Sequence, residues 1–129
     1  MGIYLSTPCT DVALEQGSGE KVQFVVGEMQ GWRQSMEDAH IALADVECNL
    51  QNGNSPKINL FAVFDGHGGK EVAKFAKLKY PELVLEQLLA HNGDVAAALR
   101  ESFHRIDELL EEPEHMPLLK QLRSTPNPS

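Results

Sequence analysis

Cysteine is scarce: Cys9 and Cys48 are the chain's two. They form no C-x-x-C pair and are too few to staple a small secreted fold, which excludes a disulfide scaffold and points to a reducing compartment. Basic residues are also few, 11 Lys plus Arg against 19 Asp plus Glu, for a formal charge of -8. A nucleic-acid surface needs clustered Lys and Arg, so no nucleic acid is expected as a partner. No apolar run approaches the length that spans a bilayer, and the N-terminus lacks a basic flank followed by an apolar stretch. The expected location is the cytoplasm, with the nucleus or the periphery of a membrane as alternatives. Internal repeats and low-complexity tracts are absent as well.

What is present is one domain's worth of chain. At 129 residues, folding buries roughly two thirds of the surface the unfolded chain exposes. The opening Met1-Gly2-Ile3-Tyr4-Leu5-Ser6 fits M-G-x-x-x-[ST], which makes Gly2 a candidate N-myristoylation site. One acyl chain without a polybasic helper gives only weak, reversible membrane association.

Residues 1–20 read as an extended leader ending in the Gln16-Gly17-Ser18-Gly19 loop. Val22, Phe24, Val25 and Val26 suit a strand closed by Gln30-Gly31. A second strand, Ala39 to Val46, has Ile41 and Leu43 on one side; His40 on the other is expected to be a hydrogen-bonded packing residue rather than a ligand. The turn signal Asn52-Gly53-Asn54-Ser55-Pro56 separates it from a third strand, Ile58 to Phe64, expected to pair antiparallel. That strand is apolar on both faces, so it is expected to be central and covered above and below.

A helix from Lys70 is expected to kink or restart near Tyr80, where Pro81 fits the first turn of a segment running to Ala90. Asn92-Gly93 then stops it, and Asp94 is the N-cap of another helix with an apolar stripe of Val95, Leu99, Ser102, Ile106 and Leu109. Residues 21–112 form the domain portion, and 113–129 are expected to be a disordered tail.

Two polar clusters carry the chemistry, Arg33 to Asp38 and the strand end Phe64-Asp65-Gly66-His67-Gly68-Gly69-Lys70. A phosphate-cradling reading of the glycine turn fails in detail. Phe64 occupies the first glycine position of a Walker loop and Glu71 its hydroxyl position, while G-x-G-x-x-G breaks at Glu71. A metal site fits better: Asp65 and Glu37 offer hard carboxylate oxygens, and Gly66 lets a backbone carbonyl approach an ion. Such ligands suit magnesium or manganese, and the lack of paired cysteines or a His-x-x-x-His spacing argues against zinc. Taken alone, an acid followed by glycine equally describes a plain Asx-type turn.

Arg33-x-x-Met36-Glu37-Asp38-Ala39-His40 followed by Phe61-Ala62-Val63-Phe64-Asp65-Gly66-His67-Gly68-Gly69 resembles the N-terminal part of the protein phosphatase 2C family, the metal-dependent serine/threonine phosphatases. The resemblance runs from residue 1 to about Leu110, through Met29-Gln30-Gly31-Trp32-Arg33. It implies that Asp65 bridges two metal ions, Mg2+ or Mn2+, that Gly66 gives one of them a backbone carbonyl, and that Glu37 ligates that same ion directly or through water. Asp38 is then an acid behind the ligands, Arg33 grips the substrate phosphate, and His67 is the general acid. The implied substrates are phosphorylated proteins, hydrolysed at phosphoserine or phosphothreonine by metal-activated water.

The implied fold class is α+β, a partial α-β-β-α sandwich of antiparallel sheets flanked by helices, with about three strands and two to three helices of a larger domain. The family's later aspartate motifs are missing, so the chain is expected to be an N-terminal fragment. The alternative function is a catalytically inactive truncated form acting as a phosphoprotein-binding or assembly module.

Overall fold

The computed structural model describes residues 4–126; Gly2, the candidate acyl acceptor, lies outside them. Four strands form two antiparallel two-stranded sheets. β1 (Tyr4–Ser18) and β2 (Gln23–Arg33) make the first, and β3 (Ala39–Glu47) and β4 (Lys57–Phe64) the second. Helices α1 (Glu71–Ala90) and α2 (Val95–Glu111), a 3-10 turn (Pro113–His115) and α3 (Met116–Ser124) follow. The arrangement is α+β and consistent with a partial phosphatase domain of the expected sandwich class.

Four strands, not three, are present because the expected leader is itself a strand. Residues Tyr4–Ser18 hydrogen-bond along β2, with Val12 opposite Met29 and Ser18 opposite Gln23. Gly19 N donates to Val22 O at 2.8 Å to close the hairpin. Apolar alternation is weak in β1 because most of its side chains stay in solvent; pairing of the backbone, which has no residue code, makes the strand.

Side-chain alternation along β4 sorts the layers. Ile58, Leu60, Ala62 and Phe64 pack toward the helices, against Ile41, Tyr80, Val84 and Leu88. Phe61 points the other way and meets Phe24 of β2 edge-on, ring centroids 5.5 Å apart. His40, opposite Val63 in the register, shares that outer face. The hairpin β1–β2 therefore lies across one face of β3–β4 and the helices cover the other. β4 is not the doubly covered central strand expected from its composition: among the described residues its one sheet neighbour is β3, and Val63 remains 75% exposed. An apolar run records the capacity to be buried, and covering both faces takes more elements than these residues supply.

α1 does not restart at Tyr80: one helix runs through Pro81. The missing N–H leaves the carbonyl of Lys77 without its helical donor. Burial of Tyr80, Leu83 and Val84 around the proline offsets that loss. In α2, Asp94 caps as expected, its carboxylate accepting from Ala97 N at 3.1 Å. Its buried stripe is Ala98, Ser102, Ile106 and Leu109, whereas Val95 and Leu99 are exposed. The small Ala98 lets α2 approach α1, and that packing sets the helix's rotation.

The expected disordered tail is helical from Pro113 to Ser124. Pro113 and Pro117 stand in first-turn positions, where a missing N–H costs nothing. Leu119 is buried with Phe75, Ala76, Leu83, Ile106 and Leu109, and Leu118 and Leu122 pack against the same group. Three leucines spread over two turns look sparse in sequence, yet they suffice once α1 and α2 present an apolar groove. Phe64 touches both core clusters, which anchors the end of β4 immediately before Asp65.

Candidate metal centre

The β3–β4 register pairs Ala39 with Phe64. The residues just before β3 and just after β4 must then be neighbours, so Glu37 and Asp38 stand beside Asp65 and Gly66. A Cβ on Gly66 would collide with the backbone carbonyl oxygen of Glu37. Glycine is required there by space, and the two segments touch through their backbones.

Asp38 and Asp65 come together side chain to side chain. The Asp38 carboxyl is held above its ordinary range, first by the low-dielectric surroundings, then by the charge of Asp65 and a hydrogen bond shared with it, with a smaller push from Glu28. Arg33 pulls in the opposite direction. Asp38 still reaches solvent, so loss of hydration on the side packed against the protein is the first cause of the rise and the neighbouring acids add to it. Arg33 ends β2, which brings its charge within range of this pair.

Glu37 is arranged differently. Its carboxylate accepts a hydrogen bond from Ser35 Oγ at 3.1 Å, and among the described residues no three acid or imidazole donors converge at this end of the sheet. His67 lies against Asp65: its Nδ1 is 2.9 Å from the Asp65 carbonyl oxygen and 3.8 Å from Oδ1. A carbonyl can only accept, so Nδ1 carries a proton and Nε2 is the free position on a side chain 83% exposed. His40, in keeping with the packing role expected of it, turns away from the acids of the site. Its Nε2 is 2.8 Å from Glu15 Oε2 and its Nδ1 3.4 Å from Glu28 Oε2, which ties the hairpin to β3.

The donor set suits a hard divalent cation. The Asp65 carboxylate is the hard oxygen donor at this point, with Asp38 beside it; the backbones of Glu37 and Gly66 are in contact, but the Glu37 carboxylate is turned to Ser35 and does not converge with the two aspartates. Neither Cys9 nor Cys48 takes part.

Sequence reasoning missed the residues that surround the glycine turn from behind. Glu71 lies under Gly69, where a Cβ would strike its carboxylate. Arg123 of α3 reaches both Glu71 and the Gly68 carbonyl, and Lys70 Nζ donates to the Thr125 carbonyl. No local motif announces the contacts of Arg123 and Lys70, which join positions 52 to 55 apart in sequence. In one further donor trio, Glu112, Glu114 and His115, two members are already engaged. Arg105 donates to Glu112 Oε1 at 3.3 Å, and His115 Nδ1 is 2.9 Å from the Leu109 carbonyl.

The family profile described as Protein phosphatase 2C matches residues 22–124. "Probable protein phosphatase 2C 6" of Paramecium tetraurelia is 40% identical over 123 residues, covering 95% of this chain and 39% of the relative. "Probable protein phosphatase 2C 60" of Arabidopsis thaliana is 42% identical over 111 residues, 86% of this chain and 29% of the relative. "Probable protein phosphatase 2C 11" of Oryza sativa subsp. japonica is 46% identical over 110 residues, 85% of this chain and 28% of the relative. The chain thus spans between 28% and 39% of the length of these relatives. With both polar clusters and the strands and helices that carry them inside the matched span, the chain belongs to the protein phosphatase 2C family.

Proposed function

We propose that this chain supplies one half of the active site of a metal-dependent phosphoserine and phosphothreonine phosphatase. The observation that carries the reading is the Asp38–Asp65 carboxyl pair at the paired ends of β3 and β4, with Gly66 pressed against Glu37. Asp65, Glu37 and the Gly66 carbonyl are the residues that would hold Mg2+ or Mn2+, two ions in a complete site. When bound, such cations lower the pKa of water and offset the negative charge of the phosphate.

The chain's own residues do the rest. Asp38 stands against Asp65 and limits the directions in which its carboxylate can turn. Arg33 offers two parallel N–H groups to phosphoryl oxygens, a geometry lysine cannot reproduce. His67, with Nδ1 held at the Asp65 carbonyl, is a proton donor at Nε2 when it is the imidazolium, and the seryl or threonyl alkoxide is the acceptor as it leaves. Phosphorylated proteins are the substrates.

The test is hydrolysis of a phosphothreonine peptide by a phosphatase-length protein carrying this segment, with Mn2+, with chelator, and with Asp65→Asn. Turnover is expected to vanish with chelator and to fall by two or more orders of magnitude in the variant, as for loss of a principal electrostatic group, about 10²–10³. Turnover indifferent to both overturns the reading.

A second reading, an inactive phosphoprotein-binding or assembly module, is favoured by the open sheet faces, where Leu14 is 73% and Val63 75% exposed. Calorimetry of the 129-residue chain with the same phosphopeptide separates the two. Binding without turnover, abolished by Arg33→Ala, supports the module; turnover at enzymatic rates removes it.

A further inference from the structure

We propose that Arg123, in the last turn of α3, is a positioning residue that latches the glycine turn of the metal centre; this rests on the functional reading above. Gly68 and Gly69 have φ of +69° and +138°, a region that glycine enters freely and other residues rarely. No atom lies within 4 Å of where a Gly68 Cβ would be, so no side chain packs the turn on that side. A turn of two such glycines needs an external constraint to hold the Asp65 and His67 that precede it.

Arg123 is that constraint. Its NH2 donates to the Gly68 carbonyl at 3.3 Å, and its Nε lies 3.3 Å from Glu71 Oε1. Glu71 is only 17% exposed, and its other oxygen, Oε2, is buried beneath Gly69 with no hydrogen-bond partner. The guanidinium is therefore the counter-charge that keeps this carboxylate folded in under the turn, and the carboxylate in turn floors Gly69. Lys70 makes the reciprocal contact, from the turn to the Thr125 carbonyl just beyond α3. The latch is carried by a helix that Leu119 seats in the core, so docking of α3 and the shape of the turn are coupled.

The coupling has a direction. With Arg123 gone, Glu71 loses its partner and turns to water, Gly69 loses its floor, and the Gly68 carbonyl loses its donor. Asp65, still anchored through Phe64, and His67 remain chemically intact, but the backbone that follows them is less constrained, so cation affinity falls without any ligand being removed.

The test uses the 129-residue chain as wild type, Arg123→Ala and Arg123→Lys, followed by backbone 15N relaxation and Mg2+ titration. In the wild type the amides of Gly68 and Gly69 are expected to have order parameters near those of rigid backbone, about 0.85, and in Arg123→Ala below about 0.6. Arg123→Lys, which keeps the charge for Glu71 but gives up the fork, is expected to lie between. Helical amides of α1 and the β1–β2 hairpin stay unchanged, which separates a latch from general loosening. Mg2+ affinity is expected to fall about 3- to 5-fold in Arg123→Ala, the size of one solvent-screened contact. Order parameters at Gly68 and Gly69 that do not move in Arg123→Ala overturn the latch. Mobile glycines in the variant combined with no Mg2+ binding by any form keep the latch and overturn its coupling to cation affinity in this chain; the metal reading itself is overturned by metal-independent turnover in the phosphatase-length protein.

Discussion

Asp38 is where stability and function pull apart. A carboxyl whose folded-state pKa is raised contributes stability below the unfolded value, about 3.9, and loses it as pH rises through the folded value, so at neutral pH the ionised Asp38 is a net cost. Burial, Asp65 and Glu28 cause the rise and Arg33 only partly offsets it. Asp38→Asn is therefore expected to raise the thermal midpoint in chelator, by an amount that solvent screening limits to about 1 kcal/mol or less. The same substitution is expected to weaken Mn2+ binding, since it removes one negative charge that attracts the cation. Calorimetric melting and metal titration on one sample check both signs, and a variant that melts lower in chelator contradicts the assigned repulsion. Both acids and His67 were readable as site residues because their types and order form a motif. Glu71 and Arg123 were not, since their roles exist only after α3 has folded back on α1.

At the level of elements, the helical segment after Pro113 does the least expected work. Leu119→Ala removes the one fully seated side chain of α3 from the cluster of Phe75, Ala76, Leu83, Ile106 and Leu109. A loss of about 2–4 kcal/mol is expected, the range for truncating a buried leucine, measured by urea unfolding. Near-zero loss would mean that α3 is not docked. The Asp94 cap, the Asn52-Gly53 turn and the alternation of β3 were legible because each is a local preference that the tertiary fold leaves in place. The rotation of α2, by contrast, depends on α1. Val95 and Leu99 look like core residues along the helix but face outward, and Ala98 takes the inner position. Likewise Pro81 reads as a helix boundary, and burial on both sides of it overrides that preference.

Taken whole, the molecule is helices on one face of β3–β4 and a hairpin laid on the other, with much apolar sheet left in water. Val12, Leu14, Val25 and Val63 are each more than half exposed, and unpaired strand edges accompany them. Val63→Lys is expected to reduce self-association at high protein concentration while leaving the thermal midpoint within about 0.5 kcal/mol of the parent, because that side chain already lies in solvent. Sedimentation measures the first and melting the second; unchanged association shows that this face is not the sticky one. The sequence by itself determined the family, the two polar clusters and the antiparallel pairing of β3 with β4, because motif residues and period-two alternation are local codes. Only the tertiary structure decided that residues 4–18 are a strand, that one face of β4 stays partly open, and that Arg123 of α3 reaches the glycine turn. Those outcomes rest on backbone pairing and on contacts between residues distant in sequence, whose free energy no local window contains.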